Sequence, residues 1–240
     1  GPQGGSATQY FIGEFNGQKF MPQDTVTRWI DHGADNYAGV TWSDIPASDG
    51  RRLFLGWMSN WQYGQVVPSE AWRSAMTLPR EITLMKKKNA YELKFAPVRE
   101  LNDLEDNSQR YNGSAKIDHP LFRISFDLTE SSGTFSLTLS NDKNEKVVIS
   151  ADKGVLSFDR RTSGETSFSD DFPAIHNVNL PDVQVKRLDV FVDLSSVEVF
   201  VNDGECVLTE IVFPTMPYNE VRLEKRDPQF SVSSLSPIWK

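Results

Sequence analysis

The sequence lacks most features that mark a metal, redox or membrane protein. Its 240 residues include one cysteine, Cys206, so no internal disulfide can form, and no Cys/His cluster with zinc-ligand spacing is present. The three histidines, His32, His119 and His176, share no ligand spacing. No apolar run approaches the ~20 residues that span a bilayer. We therefore expect no metal, no cofactor and no membrane partner.

Positive charge is also scarce. The chain carries 25 Lys and Arg against 33 Asp and Glu, a net charge of −8. Such a surface repels nucleic acid, so a sugar polymer or a neutral small molecule is the easier partner. Three lysines at residues 86–88 form the one short basic run, and a solvated strand end explains them better than nucleic-acid binding.

Strand signals dominate the first hundred residues. Residues 10–15 are rich in aromatic and branched side chains, and Asn16-Gly17 follows, a dipeptide that tolerates the positive φ angles of a tight hairpin turn. Further strands are predicted over residues 36–42, 51–57, 76–84 and 90–95. Short strands without amphipathic helices between them favour antiparallel sheets over a βαβ fold.

The second half of the chain alternates apolar and polar residues with a period of two. The alternation is clearest over residues 124–128, 135–139, 188–192, 197–201 and 207–213. One buried face and one wetter face per strand is typical of a β-sandwich. A charged stretch at residues 98–107 precedes this half and predicts one helical turn or a linker at a domain boundary.

The region between Trp29 and Arg80 is dense in residues that suit carbohydrate binding. It contains five of the six tryptophans, together with several aspartates. Aromatic faces pack on the C–H surfaces of sugars, and carboxylates pair with hydroxyl groups. The same tryptophans could equally fill a β-core, and composition alone does not separate the two interpretations.

Longer motifs carry a family resemblance. They are D-H-G-A-D-N-Y-A at residues 31–38, G-W-M-S-N-W-Q-Y at 56–63, W-R-S-A-M-T-L-P-R-E at 72–81 and S-S-V-E-V-F-V-N-D-G at 195–204. Together with G-G-S-A-T-Q-Y-F at residues 4–11, these segments resemble the later part of glycoside hydrolase family 32, which contains levanases, inulinases and invertases. The likeness covers nearly the whole chain, and its motifs are long and specific.

The resemblance implies an all-β fold made of the last blades of a five-bladed β-propeller followed by a C-terminal β-sandwich. Residues 1–98 are then the partial propeller, 99–108 a linker and 109–240 the sandwich. The implied reaction is hydrolysis of terminal β-fructofuranosyl linkages with retention, on fructan, fructo-oligosaccharide or sucrose. Polymeric fructan lies outside the cytoplasm, so a secreted or periplasmic protein is expected.

The family's catalytic motifs are missing from this sequence. The family carries its nucleophile, stabiliser and acid/base in W-x-N-D-P-N-G, R-D-P and E-C motifs upstream of the matching segments. Arg226-Asp227-Pro228 and Glu205-Cys206 spell two of these motifs, but both lie in the sandwich beside turns and are interpreted as chance matches. We assign no catalytic residue and expect the chain alone to be inactive. The missing N-terminal propeller half or a second copy of the chain is the expected partner, because a truncated propeller leaves strand edges uncovered.

The resemblance does suggest substrate-binding residues at the pocket rim. Asp31 is expected to accept hydrogen bonds from sugar hydroxyls, with Asp35 as a weaker candidate. Trp61 or Trp57 is expected to pack on a fructosyl ring, and Asn60 to add a polar contact.

Two further questions stay open at the level of sequence. Tyr37 and Arg73 could be structural, Arg73 by pairing with a carboxylate beneath the pocket. A different class of function, a carbohydrate-binding or domain-packing module with no catalytic history, is disfavoured because the motifs of residues 29–81 resemble the enzyme's propeller.

Overall fold

Strands make up nearly all of the regular structure. The computed structural model describes residues 1–87, 90–128, 133–180 and 183–238. In these ranges the helical structure is one 3-10 helix, Arg99–Leu104. Lys88, the last of the three consecutive lysines, lies outside the described residues.

Over the described residues up to 97, the first region contains nine strands: β1 (Gln9–Tyr10), β2 (Gly13–Phe15), β3 (Phe20–Pro22), β4 (Arg28–Trp29), β5 (Tyr37–Thr41), β6 (Arg52–Met58), β7 (Ala75–Met76), β8 (Arg80–Lys87) and β9 (Ala90–Pro97). An antiparallel sheet runs in the order β5-β6-β8-β9 with β7 on β6, while β1 pairs with β4 and β2 with β3. The predicted hairpin turn is confirmed. Asn16 Oδ1 accepts the backbone N–H groups of Gln18 and Lys19, and Gly17 has a φ of +93°.

Among its described residues, the second region contains twelve strands: β10 (Glu105–Asn112), β11 (Ser114–Lys116), β12 (Phe122–Asp127), β13 (Phe135–Ser140), β14 (Lys146–Asp152), β15 (Val155–Thr162), β16 (Ile175–Asn179), β17 (Arg187–Asp193), β18 (Ser196–Val201), β19 (Cys206–Ile211), β20 (Glu220–Glu224) and β21 (Gln229–Leu235). They follow one hydrogen-bonded order, β16-β15-β14-β13-β20-β11-β10-β21-β12-β17-β18-β19, in which a single residue pair joins β11 to β10. The two halves of this order, which meet at the β10–β11 pair, are the two layers. Inward-facing apolar side chains from both layers form one continuous core, so the region is a β-sandwich.

The predicted alternation holds on most sandwich strands, and β12 and β13 alternate between buried and wetter positions. Strands β18 and β19 differ, because every residue on them is buried. Their outward residues Phe200 and Val207 pack against Phe54 and Phe95 of the first region. On β18 the face that was expected to be wet is therefore an interface between the two regions, while on β19 Cys206 and Leu208, and not Val207, belong to the sandwich core.

The connection between the regions is short and regular. The 3-10 helix follows β9 after one residue, and β10 begins directly after it at residue 105. The division into domains at residues 98 and 108 stays a prediction.

Candidate functional site

An open hollow lies on the first region. It encloses about 710 Å³ and is lined by Trp29, Tyr37, Trp61, Gln9 and Gln62, together with small residues of the N-terminal segment 1–7. None of the described residues that line it is acidic. Three aromatic side chains with two amides suit the C–H faces and hydroxyl groups of a sugar. We call this site the aromatic hollow.

Two of the five sequence-predicted site residues form an aromatic pair at its edge. Trp61 is 58% exposed and lines the hollow. Its ring centroid lies 5.0 Å from that of Trp57, which is half-buried on β6. Trp57 therefore supports Trp61 at the edge of the hollow, while Trp61 presents its face to solvent.

Asn60 holds the wall of the hollow together. Its side chain is fully buried, and its Oδ1 accepts the N–H groups of Ser6 (3.2 Å) and Gln62 (3.0 Å). Its Nδ2 donates to the carbonyl of Ala34 at 2.9 Å, and the N–H of Trp61 donates to Ser6 Oγ at 3.0 Å. The amide is thus occupied by protein partners on both sides. The polar contact with sugar predicted for Asn60 stays a prediction.

Asp31 lies in a buried ion network centred on Arg80, which we call the Arg80 network. Its Oδ1 accepts the N–H groups of Gly33 (2.8 Å) and Thr209 (2.9 Å). Its Oδ2 accepts from Arg80 Nη1 at 2.8 Å, and Arg80 Nη2 donates to Glu198 Oε2 at 2.8 Å. The network joins the loop after β4 to the sandwich strands β18 and β19.

Asp35 lies in a second buried network, centred on Arg160 of β15, which we call the Arg160 network. Arg160 Nη1 donates to Asp35 Oδ2 (2.6 Å) and to Glu210 Oε2 (3.0 Å), and Arg160 Nη2 donates to Tyr63 Oη at 2.8 Å. Tyr63 donates in turn to Asp35 Oδ1 at 2.6 Å. His176 Nδ1 lies 2.7 Å from Glu210 Oε1. This network also spans the two regions.

Burial sets the electrostatics of both networks. It raises the pKa of Asp35, and the charge of Arg160 opposes that rise without cancelling it. Burial likewise raises the pKa of Glu198 against the charge of Arg80. It would lower the pKa of Arg80, but the charges of Asp31 and Glu198 raise it instead. Both guanidinium groups therefore stay charged in a dry interface.

The five sequence-predicted site residues all lie in the first region, but their surroundings differ. Only Trp61 lines the hollow, and Trp57 and Asn60 lie beside and beneath it. Asp31 and Asp35 point into the two ion networks, with every oxygen accepting a protein donor. A direct sugar contact of Asp31 stays a prediction, and it would require one of these hydrogen bonds to break.

Sequence reasoning assigned no sugar contact to the other lining residues. In the sequence Trp29 is one member of the tryptophan-dense region, and Tyr37 stays open between a structural and a binding role; both line the hollow. The pairing considered for Arg73 is made by Arg80 instead, while Arg73 is exposed. Only the aromatic composition of residues 29–61 pointed to these positions.

In the part of the chain that the structure describes, no group of three or more His, Cys, Asp or Glu side chains could hold a metal ion. Within the same ranges, no helix is both long enough and apolar enough to cross a membrane.

Two models of known protein families together match nearly the whole chain. Residues 1–97 match the glycosyl hydrolases family 32 N-terminal domain, and residues 88–239 match the glycosyl hydrolases family 32 C terminal model.

Individual relatives agree with this match. A levanase of Bacillus subtilis (strain 168) is 35% identical over 252 residues, which cover 97% of this chain and 37% of the levanase. An extracellular exo-inulinase of Aspergillus niger is 34% identical over 271 residues, covering 100% of this chain and 50% of that protein. The chain thus spans half or less of the length of these relatives.

A solved structure shows the same fold. The crystal structure of exo-inulinase from Aspergillus awamori superposes with a TM-score of 0.83 at 29% identity, over 97% of this chain and 50% of that one. A variant fructofuranosidase from Schwanniomyces occidentalis, complexed with fructosylnystose, superposes with a TM-score of 0.80 at 25% identity, over 99% of this chain and 55% of that one.

Proposed function

The chain belongs to glycosyl hydrolase family 32, and from this premise we propose that it forms one wall of the sugar pocket, and the sandwich, of a fructan-degrading glycosidase. The single observation that carries the proposal is the aromatic hollow, in which Trp29, Tyr37 and Trp61 converge with two amide side chains. The relatives named levanase, exo-inulinase and fructofuranosidase support a fructosylated substrate.

The substrate is fructan, fructo-oligosaccharide or sucrose. These sugars are neutral, and the lining of the hollow offers aromatic faces and amides with no charged side chain among its described residues. Trp61 packs on a fructosyl ring, with Trp57 holding it from the side. Asn60, Asp31 and Asp35 contribute by holding the wall, since their polar atoms already have protein partners.

The proposed reaction of the intact enzyme is hydrolysis of terminal β-fructofuranosyl linkages with retention. It needs two carboxyl groups ~5–5.5 Å apart, one as nucleophile and one as acid/base. The hollow contains no carboxylate among its described lining residues, and Asp31, Asp35, Glu198 and Glu210 are paired with arginine. We therefore propose that this chain alone does not hydrolyse its ligand.

The proposed protein partner is the rest of the propeller, or a second copy of the chain. Strand β5 has one paired side in the described sheet, and its residue Val40 is 63% exposed. Phe11 and Phe15 of the same region are exposed as well. Uncovered apolar side chains next to a free strand edge favour a protein contact. We propose that the intact enzyme is secreted or periplasmic, in keeping with relatives that are named extracellular.

The alternative is a carbohydrate-binding module that never had a catalytic role. The aromatic hollow, which has no acidic residue among its described lining residues, favours this alternative as well. The two proposals differ in the result expected when the remaining propeller blades are added to the chain. A module would bind sugar and gain no turnover. A glycosidase portion would gain fructose release.

Binding to an inulin-type fructo-oligosaccharide tests the proposal by calorimetry. We expect the chain to bind it, and Trp61→Ala to weaken binding by on the order of tenfold, because loss of one stacked aromatic face removes ~1–2 kcal/mol.

Trp72→Ala is the matched control, since Trp72 is 53% exposed and does not line the hollow. Equal affinity in wild type and Trp61→Ala would remove Trp61 from the site, and fructose release by the chain alone would contradict the assignment of inactivity.

A further inference from the structure

We propose that Glu210 of the sandwich is a positioning residue for the aromatic hollow, because it fixes the segment that presents Trp61. The inference rests on the proposed function, since it concerns the same hollow. Glu210 lies on β19 and does not line the hollow itself. Its influence passes through the loop between β4 and β5 and through Arg160.

The first step joins Glu210 to that loop. Glu210 is fully buried, and its Oε1 accepts the N–H of Ala34 at 3.2 Å. The same oxygen lies 2.7 Å from His176 Nδ1, and Oε2 accepts from Arg160 at 3.0 Å. A carboxylate held by two sandwich side chains therefore fixes the backbone of a loop residue in the first region.

The second step joins the loop to the hollow. The carbonyl of Ala34 accepts from Asn60 Nδ2 at 2.9 Å, and Asn60 Oδ1 accepts the N–H of Ser6 at 3.2 Å. Ser6 Oγ then accepts the N–H of Trp61 at 3.0 Å. Four consecutive hydrogen bonds thus connect Glu210 with the backbone of Trp61, and the linking residues are all buried.

A second route leads to the same segment. Arg160, which Glu210 pairs with, also donates to Tyr63 Oη at 2.8 Å, and the N–H of Tyr63 donates to the carbonyl of Asn60 at 3.2 Å. Both routes converge on residues 60–63, which have no strand to hold them. An exposed aromatic side chain on such a segment binds well only when its surroundings hold it in place beforehand.

Truncating Glu210 would leave several buried groups without a partner. The N–H of Ala34 would lose its acceptor, Arg160 would lose one of its acceptors, and His176 Nδ1 would lose its contact with Oε1. Buried polar groups without partners drive local rearrangement. The segment 60–63 is where that rearrangement reaches the surface.

The experiment measures the affinity for an inulin-type fructo-oligosaccharide by calorimetry at a temperature where every variant is folded. We expect Glu210→Ala to weaken binding by on the order of tenfold. Glu210→Gln should recover part of this loss, because its amide oxygen still accepts the N–H of Ala34. The matched control is Asp189→Asn, a buried sandwich carboxylate that pairs with Arg123 and Arg187 and touches no residue of the path.

Unchanged affinity in Glu210→Ala, with a stability loss like that of Asp189→Asn, would overturn the proposal and leave Glu210 a packing residue. Adding Glu210→Ala to Asn60→Ala should weaken binding by less than the two single effects combined, because both variants break the route through Ala34. Full additivity would overturn it as well. Should Glu210→Ala fail to fold, Glu210→Gln takes its place. Binding weaker than that of the wild type then supports the proposal, and wild-type affinity overturns it.

Absence of binding by the wild type would overturn the proposed function, and the positioning role would then be decided by spectroscopy. The Trp57 and Trp61 rings, 5.0 Å apart, should give a coupled near-ultraviolet dichroism signal. Loss of that signal in Glu210→Ala, with the signal kept in Asp189→Asn, supports positioning. An unchanged signal in Glu210→Ala contradicts it.

Discussion

At the residue scale, two arginines carry the contact between the regions. Arg80 and Arg160 are both fully buried, and each pairs with one carboxylate of the first region and one of the sandwich. Arg80 also lies over the ring of Phe200, with its guanidinium carbon 5.4 Å from the ring centroid. A buried ion pair adds little net stability, but removing one partner leaves an uncompensated charge in a dry site.

Replacing Arg80 with methionine should therefore be strongly destabilising. Arg80→Met leaves the carboxylates of Asp31 and Glu198 facing each other in the interface, and we expect a loss of ~3–5 kcal/mol in the free energy of unfolding, measured by urea titration. Arg161→Met is the control, because Arg161 makes an exposed ion pair with Asp159 and should change stability much less. A loss below ~1 kcal/mol for Arg80→Met would show that the network does not hold the interface.

At the element scale, the sequence predicted the sandwich strands well because alternation is a local property. The strand bounds β17 to β19 agree with the predicted residues 188–192, 197–201 and 207–213 to within a few residues. The burial of β18 and β19 was missed. Glu198 suggests a wet face in sequence, but it is buried because Arg80 pairs with it across the interface, as Asp31 does with Thr209. Contacts between residues more than a hundred positions apart leave no local pattern.

The candidate site shows the same division. The motif around residues 56–63 identified Trp61, which lines the hollow. The D-H-G-A-D motif singled out Asp31 and Asp35, but resemblance does not tell which way a side chain points. Gly33, between them, explains the direction, because a Cβ there would lie 2.3 Å from the carbonyl oxygen of Thr209. The loop after β4 therefore packs directly against β19, and the carboxylates of Asp31 and Asp35 point toward the sandwich.

The β12–β17 pair gives a prediction about pH. Burial raises the pKa of Asp189, but hydrogen bonds from Arg187 and Ser125 outweigh it, so that its pKa is held below the ordinary value of 3.8. Such a carboxylate stabilises the fold above that value, and the contribution is lost as the pH falls through the lowered pKa. The stability gap between wild type and Asp189→Asn should therefore be constant from pH 7 to pH 5 and should shrink below pH ~4 in urea titrations. A gap that widens in acid would contradict the direction of the shift.

At the scale of the whole molecule, the two regions differ in how far their strand edges and apolar side chains are covered. The outer edge of β19 is covered by the loop after β4, through hydrogen bonds from His32 to Val207 (2.8 Å) and from Asp35 to Thr209 (3.1 Å). In the described first region, the outer edge of β5 has no paired strand. Thirteen of the seventeen large hydrophobic side chains that are exposed in the described chain lie between residues 11 and 91. Association, where it occurs, should therefore start from the first region.

The hairpin β2–β3 offers the clearest test of that asymmetry. Phe15 and Phe20 are cross-strand partners, 66% and 43% exposed, so replacing both with serine removes an apolar patch without opening the core. We expect the wild type to self-associate with rising concentration in sedimentation velocity, and the double variant Phe15→Ser/Phe20→Ser to do so much less. Ile175→Ser, at an exposed sandwich position, should leave association unchanged. Equal association of wild type and double variant would place the contact on another surface, with the free edge of β5 as the next to test.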